Sequence, residues 1–231
     1  MNILKVIKYP WLVPLWLRNT VIPNKPEYSK EGSKHPRCGG TIIASRFVIT
    51  AAHCLFIVNP ETRLVVHKKT PNMVAIRIGE YNLASVNGAG DTGLEKYVNV
   101  KEIHFHEYYP LKDDWIDKPL DLYTNFDVAI LELAEDINLN VYRPACLPKD
   151  SDSRTFDGKD LTFAGWGKIP GRYSFQEPYL PNVPYEVILN GIENCQEHPQ
   201  PWLLCAASYE DHSRSTCDVS MYEKRRERIH I

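Results

Sequence analysis

The sequence predicts an all-β protein. Its 231 residues are broken into short apolar runs by 17 Pro and 12 Gly, a punctuation that suits many strands and turns. Hydrophobic residues make up 43% of the chain, which supports a sizeable core and argues against disorder. The formal net charge of -2 argues against a general nucleic-acid binder. Six Cys, an even count, are compatible with disulfides in an oxidising compartment. They contain no Cys-x-x-Cys pair, so a zinc or redox motif has little support.

Taken in order, residues 11–17 read as the first strand. Lys5 and Lys8 ahead of this apolar run give it some character of a signal peptide. The run is too short to span a bilayer, and no small-residue cleavage site follows it. The strand reading is therefore adopted, with no clear secretion signal and no membrane segment expected. Residues 24–37 form a polar loop. Residues 40–43 and 47–50 read as paired strands, and 59–72 as a charged loop. Residues 74–78 are a strand that runs into Gly79-Glu80-Tyr81-Asn82-Leu83. Residues 85–93 are a glycine-rich loop, 97–103 an alternating strand, and 108–125 a long acidic loop. Residues 127–133 are an apolar strand opened by Asp127. The run 143–148 is a connection, 161–167 and 183–189 are strands, and the charged segment 222–231 is expected to be a solvated, frayed terminus.

The most informative residues lie between the first two cysteines. Cys38-Gly39-Gly40-Thr41-Ile42-Ile43 is followed by Arg46-Phe47-Val48-Ile49 and then Thr50-Ala51-Ala52-His53-Cys54. Further on come Asn125-Phe126-Asp127-Val128-Ala129-Ile130-Leu131-Glu132-Leu133 and Phe163-Ala164-Gly165-Trp166-Gly167. Together these resemble the trypsin-like (chymotrypsin-family) serine proteases over about residues 9–217. The resemblance implies a two-barrel trypsin-like fold with an incomplete second barrel. The first barrel would occupy about 9–140 and the partial second barrel about 141–217, with a non-homologous tail at 218–231.

The resemblance also assigns roles. His53 would be the general base, its imidazole taking a proton from a hydroxyl and returning it to a leaving amine. Asp127, 74 residues later, would accept a hydrogen bond from the other ring nitrogen and fix its tautomer. That separation is long for the family, with the extra residues in loops that tolerate insertion. Cys38 would pair with Cys54, and Cys195 with Cys205. Cys146 and Cys217 would lack their family partners. Ser215 would stand at the floor of the specificity pocket, hinting at a non-basic preference. Polypeptide substrates or protease inhibitors are the implied partners, and the implied location is extracellular.

The resemblance stops after Cys217. Where the family continues with Gly-Asp-Ser-Gly-Gly-Pro, this chain reads Asp218-Val219-Ser220-Met221-Tyr222-Glu223-Lys224. Met221 falls at the nucleophile position and cannot attack a carbonyl. Val219 replaces a glycine where the backbone needs conformational freedom. Ser220 lies one position early, without the flanking glycines. The expectation is a truncated form without peptidase activity. The alternative is a non-catalytic homologue that acts by binding. No cofactor and no metal are expected. His104 and His106 could share a strand face but have no evident third ligand. Glu80, with Asn82 and Glu95, lies where some trypsin-like domains hold calcium, and only the start of such a loop is legible.

Overall fold

The computed structural model describes residues 8–17, 36, 38–59, 61–62, 64–85, 92–109, 117, 126–147, 156, 158–167, 181–192, 204–207 and 228–229, of which 192, 204–207 and 228–229 are described by their backbone alone. The chain divides into two compact units. One comprises residues 1–80 and 88–145, the other residues 81–87 and 146–231.

The first unit is built on a closed barrel. Its strands are β1 (Leu12–Leu17), β2 (Cys38–Ala44), β3 (Phe47–Thr50), β6 (Val74–Ile78), β7 (Lys96–Phe105) and β8 (Ala129–Leu133). They close in the order β1-β2-β3-β8-β7-β6, with every pairing antiparallel. Side-chain alternation explains the strands. In β8, Ala129, Leu131 and Leu133 are buried while Ile130 and Glu132 are not, as a period of two requires. Val13, Leu15, Ile42, Val48, Ile76, Leu131 and Leu133 are fully buried in one cluster. Each contributes about 1.5–3 kcal/mol relative to exposure. Gly40 is required by close approach, since a Cβ there would stand 2.8 Å from Val48 Cγ1 and 3.1 Å from the Ile49 oxygen.

Two readings change here. The segment 59–72, expected as a loop, contains strand β5 (Val65–Lys68), which pairs antiparallel with β4 (Phe56–Val58). Buried Val65 anchors that strand, while Val66 and His67 are exposed and Lys68 is half-buried. A short 3-10 turn, Pro71–Met73, then leads into β6. The strand expected from residue 127 begins at Ala129 instead, because the Val128 N–H is turned back onto the Phe126 oxygen at 2.6 Å. The expected loops at 24–37, 85–93 and 108–125 lie largely outside the described residues.

The second unit holds an open sheet. Strands β9 (Asp160–Gly165), β10 (Tyr185–Ile192), β11 (Leu204–Ala207) and β12 (Arg228–Ile229) lie in the order β12-β11-β10-β9. β10 starts after Pro184, whose missing N–H cannot serve a ladder. Val187 and Leu189 are buried against Leu161 and Phe163. Trp166 is buried too, its indole N–H donating to the Tyr81 oxygen at 3.3 Å. Ile188, by contrast, is 56% exposed. The charged terminus is not frayed throughout. Residues Arg228 and Ile229 pair with Cys205 and Leu204, which satisfies backbone groups that a strand edge would leave open.

Candidate active site

His53 is placed by two neighbouring constraints. It sits in a 3-10 turn, Ala52–Leu55, that follows β3 directly. The turn is pinned to the start of β2 by the disulfide Cys38–Cys54, whose Cα atoms are 6.3 Å apart. Thr50 reinforces the junction, its hydroxyl donating to the Gly39 oxygen at 2.8 Å.

Asp127 meets this turn with both carboxylate oxygens. Oδ1 accepts the backbone N–H of His53 at 2.7 Å, and Oδ2 lies 2.6 Å from His53 Nδ1. The Asp127 side chain is 6% exposed and that of His53 is 49% exposed. A carboxylate only accepts hydrogen bonds, so Nδ1 carries the proton and donates it. In the neutral ring Nε2 then has a free lone pair. That atom, on a half-exposed ring, can accept a proton, and it lies 3.6 Å from Cys54 Sγ. The arrangement can take up one proton while a buried negative charge stabilises the resulting imidazolium.

The turn before Asp127 has a feature that sequence reasoning missed. Phe126 has φ 57°, the left-handed region that a bulky residue rarely occupies. Its ring stacks on His106 with centroids 4.7 Å apart and planes 10° from parallel, and Tyr108 contacts both rings, at 5.4 Å from Phe126 and 5.6 Å from His106. The Tyr108 N–H donates to His106 Nδ1 at 3.2 Å. Buried Tyr109 packs on Phe56 and Phe105 behind this group. Glycine or asparagine would have signalled the left-handed position; phenylalanine does not.

His104 and His106 have separate surroundings. His104 Nε2 lies 3.5 Å from Glu132 Oε2, and Lys101 Nζ lies 2.6 Å from Glu132 Oε1. The lysine hydrogen bond, assisted by His104 and opposed by desolvation, holds the Glu132 carboxyl below its ordinary pKa. Glu80 is fully buried and its Oε2 is met by Arg77 Nη1 at 2.7 Å. Glu95 Oε1 accepts the backbone N–H and the hydroxyl of Thr92. Asn82 Oδ1 accepts the Ala84 N–H. An internal guanidinium thus sits where Glu80 would otherwise offer an oxygen to a cation.

Cys146 is free and exposed. Cys195, Ser215, Cys217, Ser220 and Met221 lie outside the described residues, and of Cys205 only the backbone in β11 is described. No described helix is long and apolar enough to cross a membrane.

A closed antiparallel barrel with a histidine turn clamped beside a buried aspartate defines a trypsin-like domain. Comparison with known proteins agrees. The family model described as Trypsin matches residues 9–218, so the chain belongs to the trypsin family. It is 29% identical over 165 residues to human chymotrypsin-like elastase family member 1, covering 70% of this chain and 54% of that protein. It is 28% identical over 168 residues to phenoloxidase-activating factor 3 of Holotrichia diomphalia, covering 69% and 39%. It is 36% identical over 141 residues to the serine protease Hayan of Drosophila melanogaster, covering 61% and 18%. The chain spans about half or less of the length of these relatives.

Proposed function

We propose that these residues carry the acid–base half of a serine peptidase and that the 231-residue chain does not hydrolyse peptide bonds itself. The observation that carries this reading is the His53–Asp127 couple, with Nδ1 at 2.6 Å from a buried carboxylate. Such a couple suits peptide-bond hydrolysis, the chemistry of serine peptidases, with His53 as base and Asp127 as the group that orients it. The sequence after Cys217 supplies neither a serine between glycines nor the glycine of an oxyanion hole. Loss of a single oxyanion donor costs about 10²–10³ in rate. The peptidase domain is placed at 9–217, with 218–231 outside its pattern, and the Cys195–Cys205 disulfide and the pocket floor at Ser215 belong to the same proposal. Polypeptide substrates or inhibitors of serine peptidases are the partners it fits, in an extracellular setting.

A second reading, a regulatory homologue that binds polypeptides without cutting them, is favoured by the closed barrel and the intact couple. One assay addresses both. The purified chain is incubated with a broad peptide library beside His53→Ala. No turnover above that control is expected. Turnover that vanishes in the control would overturn the proposal of inactivity, whereas saturable peptide binding without turnover would favour the second reading.

A further inference from the structure

We propose that Cys38, Cys54 and His53 form a zinc site when their disulfide is opened by a dithiol reductant. The fold gathers these three ligands from positions that show no metal motif in sequence. One donor atom from each lies within 4.8 Å of the others. Zinc takes Cys sulfur at about 2.3 Å and His nitrogen at about 2.0–2.1 Å. Around a tetrahedral ion those bonds put sulfur and nitrogen roughly 3.6 Å apart and two sulfurs roughly 3.8 Å apart. The Cys54 Sγ to His53 Nε2 distance is already 3.6 Å. The two sulfurs must separate to admit the ion, and Cys38, at the first residue of β2, has a strand end on which to do it.

The histidine is set for a metal in two further ways. Nδ1 donates to Asp127, which leaves the Nε2 lone pair on the side of the sulfurs. A carboxylate behind a ligating histidine is the common outer-shell arrangement of zinc sites and raises the basicity of the ring. The ring is 49% exposed, which provides an entry path and room for water as a fourth ligand. In the rival cluster Glu102, His104 and Glu132, one Glu132 oxygen is already held by the Lys101 ammonium.

The chemistry balances. A dithiol gives two electrons and two protons to the Cys38–Cys54 bond and becomes a disulfide, leaving two protein thiols. Zinc then displaces both thiol protons to solvent and binds two thiolates and the neutral imidazole. In the oxidised chain neither sulfur can become a thiolate, so the site exists in one redox state alone. Metal and proton compete for the same Nε2 lone pair. The reduced, metal-bound form therefore has no base at His53.

The test uses the full chain, reduced with a phosphine and titrated with Co²⁺ or Zn²⁺. Co²⁺ should produce thiolate charge-transfer and tetrahedral d–d absorption, absent from the oxidised chain and lost in His53→Ala. Asp127→Asn should weaken Zn²⁺ binding by about 10–100-fold. Zn²⁺ should slow alkylation of Cys38 and Cys54 together in the unmutated chain, read by peptide mapping, while Cys146 continues to react. The mapping does not depend on any variant folding. Alkylation of Cys38 and Cys54 at the same rate with and without Zn²⁺ would overturn the proposal. So would cobalt bands that persist in Cys38→Ser/Cys54→Ser, which would assign the metal to the other cysteines.

Discussion

Replacing Glu80 by alanine should strongly destabilise the first unit. Arg77 and Glu80 are 6% and 0% exposed in their side chains and 2.7 Å apart. Arg77 also lies over the Tyr97 ring at 5.4 Å, so its guanidinium is held from two sides. Removing Glu80 takes away the anion 2.7 Å from that buried cation, and breaking a buried pair from one side costs about 3–5 kcal/mol. Against a total stability of about 5–15 kcal/mol this is a large fraction. At roughly 2–4 °C per kcal/mol for a chain of this size, the midpoint of thermal unfolding should fall by about 6–20 °C. The double variant Arg77→Met/Glu80→Leu removes both charges and keeps the volume, and should recover most of the loss. Urea unfolding, followed through amide signals of β6 and β7, reports on this unit alone. A Glu80→Ala chain within about 1 kcal/mol of the parent, or a double variant as unstable as the single one, would refute the reasoning.

Hydrogen exchange should be faster in β9 and β10 than in β2, β3, β6 and β8. The described sheet of the second unit is open, and among the described residues its buried cluster holds Val187 and Leu189 with Leu161 and Phe163 beside them; equal, slow exchange in both units would contradict this. The stability gained from Glu132 should depend on acid. Its folded pKa is lowered from 4.5, so the contribution is present above the unfolded value and lost as pH falls through the folded one. Lys101→Met should flatten that acid limb, with a smaller effect in high salt, as measured by urea midpoints across pH; an unchanged profile would show that the 2.6 Å contact carries no linkage.

Much of the first barrel is legible in sequence because its strands alternate against one continuous core. Residues 47–50 carry that pattern, 74–78 read instead as a mostly apolar run that is buried throughout, and His53 and Asp127 stand at the edges of these strands. β5 is hidden because His67 and Lys68 make 65–68 look like solvated loop, while pairing with β4 and the burial of Val65 decide its state. The site is legible in its residue types and hidden in its supports. The carboxylate's grip on the His53 backbone N–H, the left-handed Phe126 and the stacked His106 all arise from contacts between segments far apart in the chain. Arg77 is hidden for a similar reason. A cation inside the fully buried β6 looks out of place until Glu80 turns back to meet it.

The order of the barrel strands also sets a timetable for synthesis. β1 pairs with β2 and β6, and β8 pairs with β3 and β7. The first hairpin can form early, but the ring cannot close until β8 has left the ribosome. Between the emergence of His53 and that of Asp127 lie 74 residues, which take roughly 4–15 s at about 5–20 residues per second. For that interval Cys54 and His53 sit on an unclosed sheet with free edges. The nascent chain therefore spends seconds with its first two cysteines on an unclosed sheet before Asp127 arrives to hold the His53 turn beside them.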